Sequence, residues 1–449
     1  MSTSTVNGGG AVGDPERAVS DRVRERVAER LATVTAERER AGLPPESDQE
    51  RRTVVDRLLA EELASQTRSA LERGGAALDI GAEIRISKAV VDALFGAGRL
   101  EDLLTDSQVE NIAINGCDRV WLRYADGTKQ RGSPVASSDA ELIELIRTLA
   151  ARAGEEERRF DRGRPSLNLQ MPDGSRLFAV MAVCGRVSLN IRKHRYPTVS
   201  MKQLVRMGVM DEPLAGVLAA MVRGRKNIIV GGGTNVGKTT LLRGLADEIP
   251  PHERLVTVED TFELGLDADA NAHPDVVAMQ AREANVEGEG AIEQAELVRW
   301  GLRMSPDRVI VGEIRGPEVV PMCNAMSQGN DGSLSTIHAS TSRGVFTKLA
   351  AYAAQSPERL SLEATNLLVA SAVHFVVHLG WSRDKARVVS SVREIVDADG
   401  AQIVSNEIYR PGPDGRAAPA TPLRAEVLDE LVEAGLDADL VREHWWRAS

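Results

Sequence analysis

The sequence has 449 residues, a formal net charge of −11, and apolar and charged fractions of 42% and 27%, values typical of a soluble protein with two or three domains. The negative charge argues against bulk binding of nucleic acid. The longest apolar run, residues 214–222, is too short to cross a bilayer, and no basic segment followed by an apolar core indicates a secretory signal, so we expect a cytoplasmic protein without its own membrane span.

The first 79 residues are predicted to form a tail and helices. Residues 1–15 are rich in Ser, Thr and Gly, which predicts disorder. Charges of alternating sign over 16–40 favour a solvated helix, with a partner-binding arm as the alternative. The prolines of 43–45 end this helix, and an apolar stripe predicts a second helix over 48–73.

Residues 80–200 are predicted to form a small α+β domain. A helix is expected over 87–95, and Ser138 with Glu141 predicts a capping box at the start of another. Short segments of strand character, bounded by turn signals, cover 111–115, 119–124, 167–171, 176–183 and 187–191. Residues 196–200 are predicted to form a linker to the next domain.

Residues 201–410 alternate predicted strands with predicted helices. The strands are expected at 227–231, 254–259, 308–312, 333–338 and 373–379. This alternation predicts a parallel sheet covered on both faces, with nucleotide bound at the carboxyl ends of its strands. Residues 411–449 are predicted to form a Pro-, Gly- and Ala-rich tail followed by a charged helix. Trp445 and Trp446, near the end of that helix, are expected to pack onto the rest of the protein, with a docking patch as the alternative.

One loop in this domain fits the phosphate-binding pattern G-x-x-x-x-G-K-[ST] at every fixed position. The loop and the start of the predicted helix 239–248 comprise Gly232, Gly233, Thr234, Asn235, Val236, Gly237, Lys238, Thr239 and Thr240. Glycines let backbone N–H groups converge on phosphate, and the helix N-terminus adds partial positive charge. We expect Lys238 to bind the β- and γ-phosphates and the Thr239 hydroxyl to bind Mg²⁺; the alternative is a chance glycine-rich turn.

Polar side chains end three of the predicted strands. The segment 256–263 ends in carboxylates, 308–315 carries Glu313 after an apolar run, and 333–338 ends in His338. Carboxylates beside a phosphate loop can position water or metal, although each could also be a surface residue following a core strand. We expect no zinc site at His374 and His378, because no convincing ligand set accompanies them.

Taken in order, these segments resemble the secretion-ATPase superfamily, and most closely the CpaF-type ATPases of tight-adherence (Tad/Flp) pili. The four motifs of that family, a phosphate loop, an Asp box, a Walker B strand and a His box, correspond to 232–242, 256–264, 303–316 and 329–339. Residues 285–290 resemble the loop before the Walker B helix, and 94–106, 111–122, 171–180 and 187–195 resemble the family's N-terminal domain. The resemblance covers about 85–395.

The resemblance implies an α/β fold: a C-terminal RecA-like P-loop domain with a mainly parallel sheet, preceded by a smaller α+β domain and N-terminal helices. It implies ATP and Mg²⁺ as ligands, with Glu259 polarising water, Glu313 supporting Mg²⁺ or water, and His338 coupling nucleotide state to conformation. Arg176 and Arg192 match arginines that the family brings toward the terminal phosphate, although both could be surface strand residues.

The resemblance further implies a homohexameric motor that hydrolyses ATP at the inner face of the plasma membrane and drives inner-membrane platform proteins of a pilus or secretion machine. Asn330 replaces a histidine that is frequent in the His box, and Asn235-Val236 replaces a favoured Gly-Ser. These departures motivate an alternative, an ATP-binding assembly switch or scaffold with little hydrolysis. A nucleic-acid motor is a third possibility, against which the acidic balance speaks.

Overall fold

The computed structural model describes residues 14–41, 48–74, 78–95, 100–153, 159–193, 198–282, 284 and 289–439. The chain divides into two compact units, Met1–Lys193 and His194–Ser449. Several predicted features lie wholly or partly outside the described residues: the N-terminal tail, the prolines of 43–45, the linker at 196–200, the loop at 285–290 and the tryptophans at 445–446.

The first unit begins with three helices, α1 (Asp14–Arg40), α2 (Asp48–Glu72) and α3 (Ile80–Phe95). They pack through a small apolar cluster that includes Val23, Val27, Leu58 and Ile86. The two predicted N-terminal helices are confirmed. Helix α3 starts seven residues before the predicted Ser87, because the Asp79 carboxylate accepts a hydrogen bond from Ala82 N at 2.7 Å and caps the earlier turn.

A six-stranded antiparallel sheet forms the rest of this unit, in the order β3-β2-β1-β6-β5-β4. Its strands are β1 (Val109–Asn115), β2 (Val120–Tyr124), β3 (Lys129–Gly132), β4 (Ser166–Gln170), β5 (Arg176–Val180) and β6 (Ser188–Arg192), and its helices are α4 (Glu101–Thr105) and α5 (Asp139–Arg152). Leu142 and Ile146 of α5 share one buried cluster with Ile112 and Leu189 of the sheet. The five strands predicted in this unit, at 111–115, 119–124, 167–171, 176–183 and 187–191, are confirmed to within three residues at each end.

The cap of α5 differs from the predicted capping box. The Ser138 side chain accepts a hydrogen bond from Glu141 N, as expected. The Glu141 carboxylate, however, accepts its hydrogen bond from Ser137 N at 2.7 Å, one residue before the N-cap. A complete capping box occurs instead at Ser200 and Gln203, which were not predicted.

The second unit is built on a nine-stranded sheet in the order β15-β14-β13-β12-β7-β11-β10-β8-β9. Its strands are β7 (Ile228–Gly232), β8 (Leu255–Glu259), β9 (Val276–Gln280), β10 (Arg308–Ile314), β11 (Leu334–His338), β12 (Phe375–Trp381), β13 (Arg387–Asp399), β14 (Gln402–Pro411) and β15 (Ala417–Pro419). The five pairings from β12 to β9 are parallel and the three from β12 to β15 antiparallel. The predicted α/β fold with a mainly parallel sheet is confirmed.

Helices cover both faces of the parallel part, as expected for a sheet whose strands are apolar on both sides. They are α6 (Met201–Arg206), α7 (Glu212–Arg223), α8 (Lys238–Ala246), α9 (Gln294–Gly301), α10 (Val319–Ser327), α11 (Gly344–Gln355), α12 (Leu362–Ala372) and α13 (Ala425–Glu433). In β7, Ile228 and Val230 join the cluster under α6, α7, α8 and α13. Ile229 joins the cluster on the opposite face, under α9 to α12.

The buried Asn227 side chain joins the starts of three strands. Its Oδ1 accepts from Gly332 N at 2.8 Å and Ser333 N at 3.0 Å, immediately before β11. Its Nδ2 donates to Met326 O and Ala372 O, both at 2.7 Å, and also lies 3.1 Å from Asp331 Oδ1. These hydrogen bonds satisfy buried polar groups at the amino-terminal edge of the sheet and tie the segments before β11 and β12 to the start of β7.

Residues after 381 depart most from prediction. A long antiparallel ribbon, β13 and β14, extends the sheet, and Ala417–Pro419 pairs with Tyr409–Pro411 inside the segment predicted as a tail. Proline is tolerated there because β15 is an edge strand. No helix among the described residues is both long and apolar enough to span a membrane.

Candidate functional site

The phosphate-pattern loop joins the end of β7 to the start of α8. A Cβ on Gly232 would lie 2.9 Å from Leu379 O and 2.7 Å from Val236 Cγ2, so only glycine fits between β12 and the loop. Gly237 has φ of +96°, a backbone conformation that side chains disfavour. The loop therefore turns tightly and presents the first turn of α8, whose N–H groups have no partner within the helix.

The Lys238 ammonium is buried at the centre of the site. Its Nζ donates to Gly233 O at 3.0 Å, lies 3.2 Å from His338 Nδ1, and lies 3.7 Å from Glu313 Oε1. An ammonium with three donors needs acceptors on several sides. A polyphosphate would offer acceptors of the same kind in exchange for these protein contacts.

The side chains at the ends of β10 and β11 are joined directly. His338 Nε2 lies 2.8 Å from Glu313 Oε1, and Arg315 Nε lies 2.5 Å from Glu313 Oε2. Burial by itself would raise the pKa of Glu313, but the hydrogen bond with His338 and the charges of Arg315, His338 and Lys238 lower that pKa to about 2. Glu313 is therefore a carboxylate at neutral pH, held between three basic side chains.

Glu259, at the end of β8, is buried behind the loop that follows it. Its Oε1 accepts hydrogen bonds from Glu263 N and Leu264 N, both at 2.9 Å. A Cβ on Gly312 would lie 3.1 Å from Glu259 Cγ, so β10 leaves room for this carboxyl group. Burial raises the pKa of Glu259 to about 7, and the two backbone hydrogen bonds oppose that rise.

Glu263 is the carboxylate that contacts the phosphate loop region. The Thr239 hydroxyl donates to Glu263 Oε2 at 3.1 Å. Arg243 of α8 donates to Leu264 O at 3.0 Å and to the Glu263 carbonyl, and so holds this loop against the helix. The sequence shows Glu263 only as one of the carboxylates that end its segment, because its contact with Thr239 depends on how the loop folds over Glu259.

Arg176 and Arg192 lie in the first unit. They are directly opposite each other on the neighbouring strands β5 and β6. Both residues are half-buried. The antiparallel register therefore brings together two basic side chains that lie sixteen residues apart in the sequence.

The remaining loop residues and histidines have structural settings of their own. Val236 is buried, while Gly233 and Thr234 are exposed and Thr240 is half-buried. Asn235 has φ of +61°. His374 Nδ1 accepts from Asn227 N at 2.9 Å and His378 Nδ1 lies 2.8 Å from Ser390 Oγ, so both take part in the packing of the sheet.

The donor set fits a magnesium ion bound together with phosphate. Thr239, Glu263 and Glu313 offer the oxygen atoms that Mg²⁺ prefers, and Mg²⁺ sites commonly use one or two carboxylates plus substrate phosphates. Among the residues that the structure describes, no group of three or more His, Cys, Asp and Glu side chains could enclose a metal without such help.

Comparison with known proteins gives a consistent result. The family model described as "Type II/IV secretion system protein" matches residues 97–411. A putative conjugal transfer protein of Mycobacterium tuberculosis is 34% identical over 316 residues, which are 68% of this chain and 86% of the relative. Protein VirB11 of Agrobacterium fabrum is 30% identical over 304 residues, 61% of this chain and 85% of the relative. The VirB11 ATPase of Brucella suis, solved with sulphate, is 26% identical, with a TM-score of 0.36 over 70% of this chain and 96% of that one.

Proposed function

The chain belongs to the type II/IV secretion system protein family, and we propose that it hydrolyses ATP to drive a secretion or pilus machine. One observation carries the proposal. Lys238, Glu313 and His338 come from three adjacent elements and meet beside the phosphate loop, at the carboxyl ends of parallel strands. That edge is where open α/β sheets bind nucleotides.

Binding of the phosphates would exchange protein contacts for ligand contacts. The backbone N–H groups of the loop and of the first turn of α8 face an anion favourably. Lys238 would move its ammonium from Gly233 O, His338 and Glu313 to the phosphate oxygens. The displaced contacts would leave Glu313 and His338 available to the reacting end of the nucleotide.

Hydrolysis needs an oriented water and compensation of negative charge. Thr239, with Glu263 beside it, would hold Mg²⁺, which neutralises charge on the phosphates. Glu313 is ionised and therefore accepts hydrogen bonds, so it can orient the attacking water. His338 and Arg315 fix the position of Glu313. A movement of Glu313 would therefore also move the end of β11, which carries His338, and the segment after β10, which carries Arg315.

We further propose that the protein works as a homohexamer. Nucleotide would close the α+β domain onto the ATPase domain, with Arg176 and Arg192 approaching the terminal phosphate, and hydrolysis would release them. The partners would be inner-membrane platform proteins, reached from the cytoplasmic face. The motif resemblance supports a CpaF-type motor of a Tad/Flp pilus, whereas relatives named for conjugal transfer support a wider secretion role.

Steady-state release of phosphate tests the enzyme directly. Purified protein with Mg²⁺ and ATP is expected to release phosphate continuously, and Lys238→Ala and Glu313→Ala are expected to abolish that release. Binding of ATP without turnover would favour the alternative, an assembly switch or scaffold. Electron microscopy with an ATP analogue would show whether six copies form a ring.

A further inference from the structure

A tryptophan lies at the nucleotide edge of the sheet and has no part in the chemistry proposed above. Trp381 ends β12 and is 47% exposed. β12 runs parallel to β7, and Leu379 pairs with Gly232, so Trp381 stands two residues beyond the level at which the phosphate loop begins. A large aromatic side chain left this open to solvent is a candidate for contact with a ligand.

Arg387 joins this tryptophan to the phosphate loop. It pairs with Trp381 across β12 and β13, and its Cζ lies 5.5 Å from the centroid of the Trp381 ring. Its Nε donates to the carbonyl oxygen of Asn235 at 3.0 Å, and its Cδ lies 3.8 Å from the position that a Cβ on Gly237 would take. One side chain therefore contacts both the aromatic ring and the loop that would hold the phosphates.

The geometry suits the base end of a nucleotide. A base that extends from loop-bound phosphates needs a flat surface to stack on, and indole rings and guanidinium planes both provide one. Glu313, His338 and Glu263 belong to elements on the other side of β7, because β11, β10 and β8 follow one another there while β12 lies on the opposite side. The two ends of a nucleotide would thus find separate partners on either side of the loop.

We propose that Trp381 and the Arg387 side chain stacked on it form the platform for the purine base of the bound nucleotide. This inference rests on the proposed function, since the phosphate loop must hold the phosphates first. Arg387 acts as a positioning residue: it fixes the ring face and, through the Asn235 carbonyl, the distance between the base and the phosphate loop.

The test compares a ligand that has a base with one that has none. The full chain is titrated calorimetrically with Mg²⁺–ADP and with Mg²⁺–tripolyphosphate. Trp381→Ala is expected to weaken ADP binding about tenfold, the size of one lost stacking contact, and to leave tripolyphosphate binding unchanged. Trp381→Phe keeps an aromatic face and is expected to restore most of the ADP affinity.

Trp121 supplies a matched control. It is 39% exposed and lies under the Lys129 ammonium, 5.0 Å from the ring centroid, in the first unit. Trp121→Ala is expected to bind both ligands as the wild type does. Unchanged ADP affinity in Trp381→Ala, or equal losses for both ligands, would overturn the platform while the proposed function stands. A wild type that binds neither ligand would overturn the proposed function and the platform with it.

Discussion

The Thr239 hydroxyl donates a hydrogen bond of 3.1 Å to Glu263, which lies 24 residues further along the chain. Thr239 belongs to the first turn of α8, and Glu263 belongs to the loop after β8. The buried carboxyl of Glu259 holds that loop by accepting hydrogen bonds from its backbone. The two carboxyl groups therefore have different roles. Glu259 holds the shape of the loop, and Glu263 contacts the hydroxyl that is expected to bind Mg²⁺.

Glu263→Gln should lower ATP hydrolysis and raise the Mg²⁺ concentration needed for half-maximal rate, each by about tenfold or more. The reason is that loss of a carboxylate charge beside a metal ligand weakens the binding of Mg²⁺. Phosphate release measured over a Mg²⁺ series checks this. Asp267→Asn, which changes an exposed carboxylate on the same segment, serves as the control and should behave as the wild type. Equal Mg²⁺ dependence in all three proteins would remove Glu263 from the site.

Glu259 should make the protein less stable as the pH rises. Its pKa is about 7 in the folded chain, against an ordinary value of 4.5 for a glutamate in water, so between these values the folded state binds the extra proton. The free energy of unfolding should fall by about 3 kcal/mol across that interval and level off above it. Glu259→Gln should flatten this slope in urea unfolding measured from about pH 5 to pH 7.5.

Glu313 provides the contrast for that measurement. The pKa of Glu313 in the folded chain, about 2, lies below the ordinary value of 4.5. Its contribution to the free energy of unfolding is therefore complete above pH 4.5 and is lost only as the pH falls further. Glu313→Gln should therefore leave the slope near neutral pH intact. A slope that survives in Glu259→Gln would show that another group causes it.

Asn227→Ala should destabilise the second unit by about 3 kcal/mol or more, because it leaves several buried backbone groups without partners. Urea unfolding measures the loss. Asn271→Ala, at an exposed position, should change the free energy of unfolding by less than about 0.5 kcal/mol. If the two variants proved equally stable, the hydrogen-bond network at the amino ends of the strands would not hold the sheet together.

If Arg176 and Arg192 approach the terminal phosphate as proposed, Arg176→Ala and Arg192→Ala should each lower kcat by about a hundredfold and change nucleotide affinity much less, because such a positive charge acts mainly in the transition state. Single-turnover kinetics and direct binding separate the two effects. Arg123→Ala, an exposed arginine on β2 of the same sheet, should leave both unchanged. If both variants hydrolysed ATP at the wild-type rate, Arg176 and Arg192 would have no part in catalysis.

The strands around the site could be predicted from sequence because each is a short segment rich in apolar or β-branched residues that alternates with a predicted helix. The five strands expected between 227 and 379 are all present, and their order along the chain indicated the parallel sheet. The meeting of Lys238, Glu313 and His338 also followed, since carboxyl ends of neighbouring parallel strands share one edge.

Contacts that depend on the path of a loop could not be predicted. The Glu263 contact requires the turn fixed by Glu259, and the Arg387 contact requires the antiparallel strand β13, whose residues show no simple alternation. The edge strand β15 contains proline, which argued for a tail. These features depend on tertiary pairing, about which local periodicity carries little information.

Calorimetry of the intact chain with Mg²⁺ and a non-hydrolysable ATP analogue tests the central claim most directly. The wild type should bind the analogue, and Lys238→Ala, which removes the ammonium placed among Gly233, His338 and Glu313, should lose that binding. Absence of nucleotide binding by the wild type, or equal binding by Lys238→Ala, would contradict the assignment of this loop as the nucleotide site.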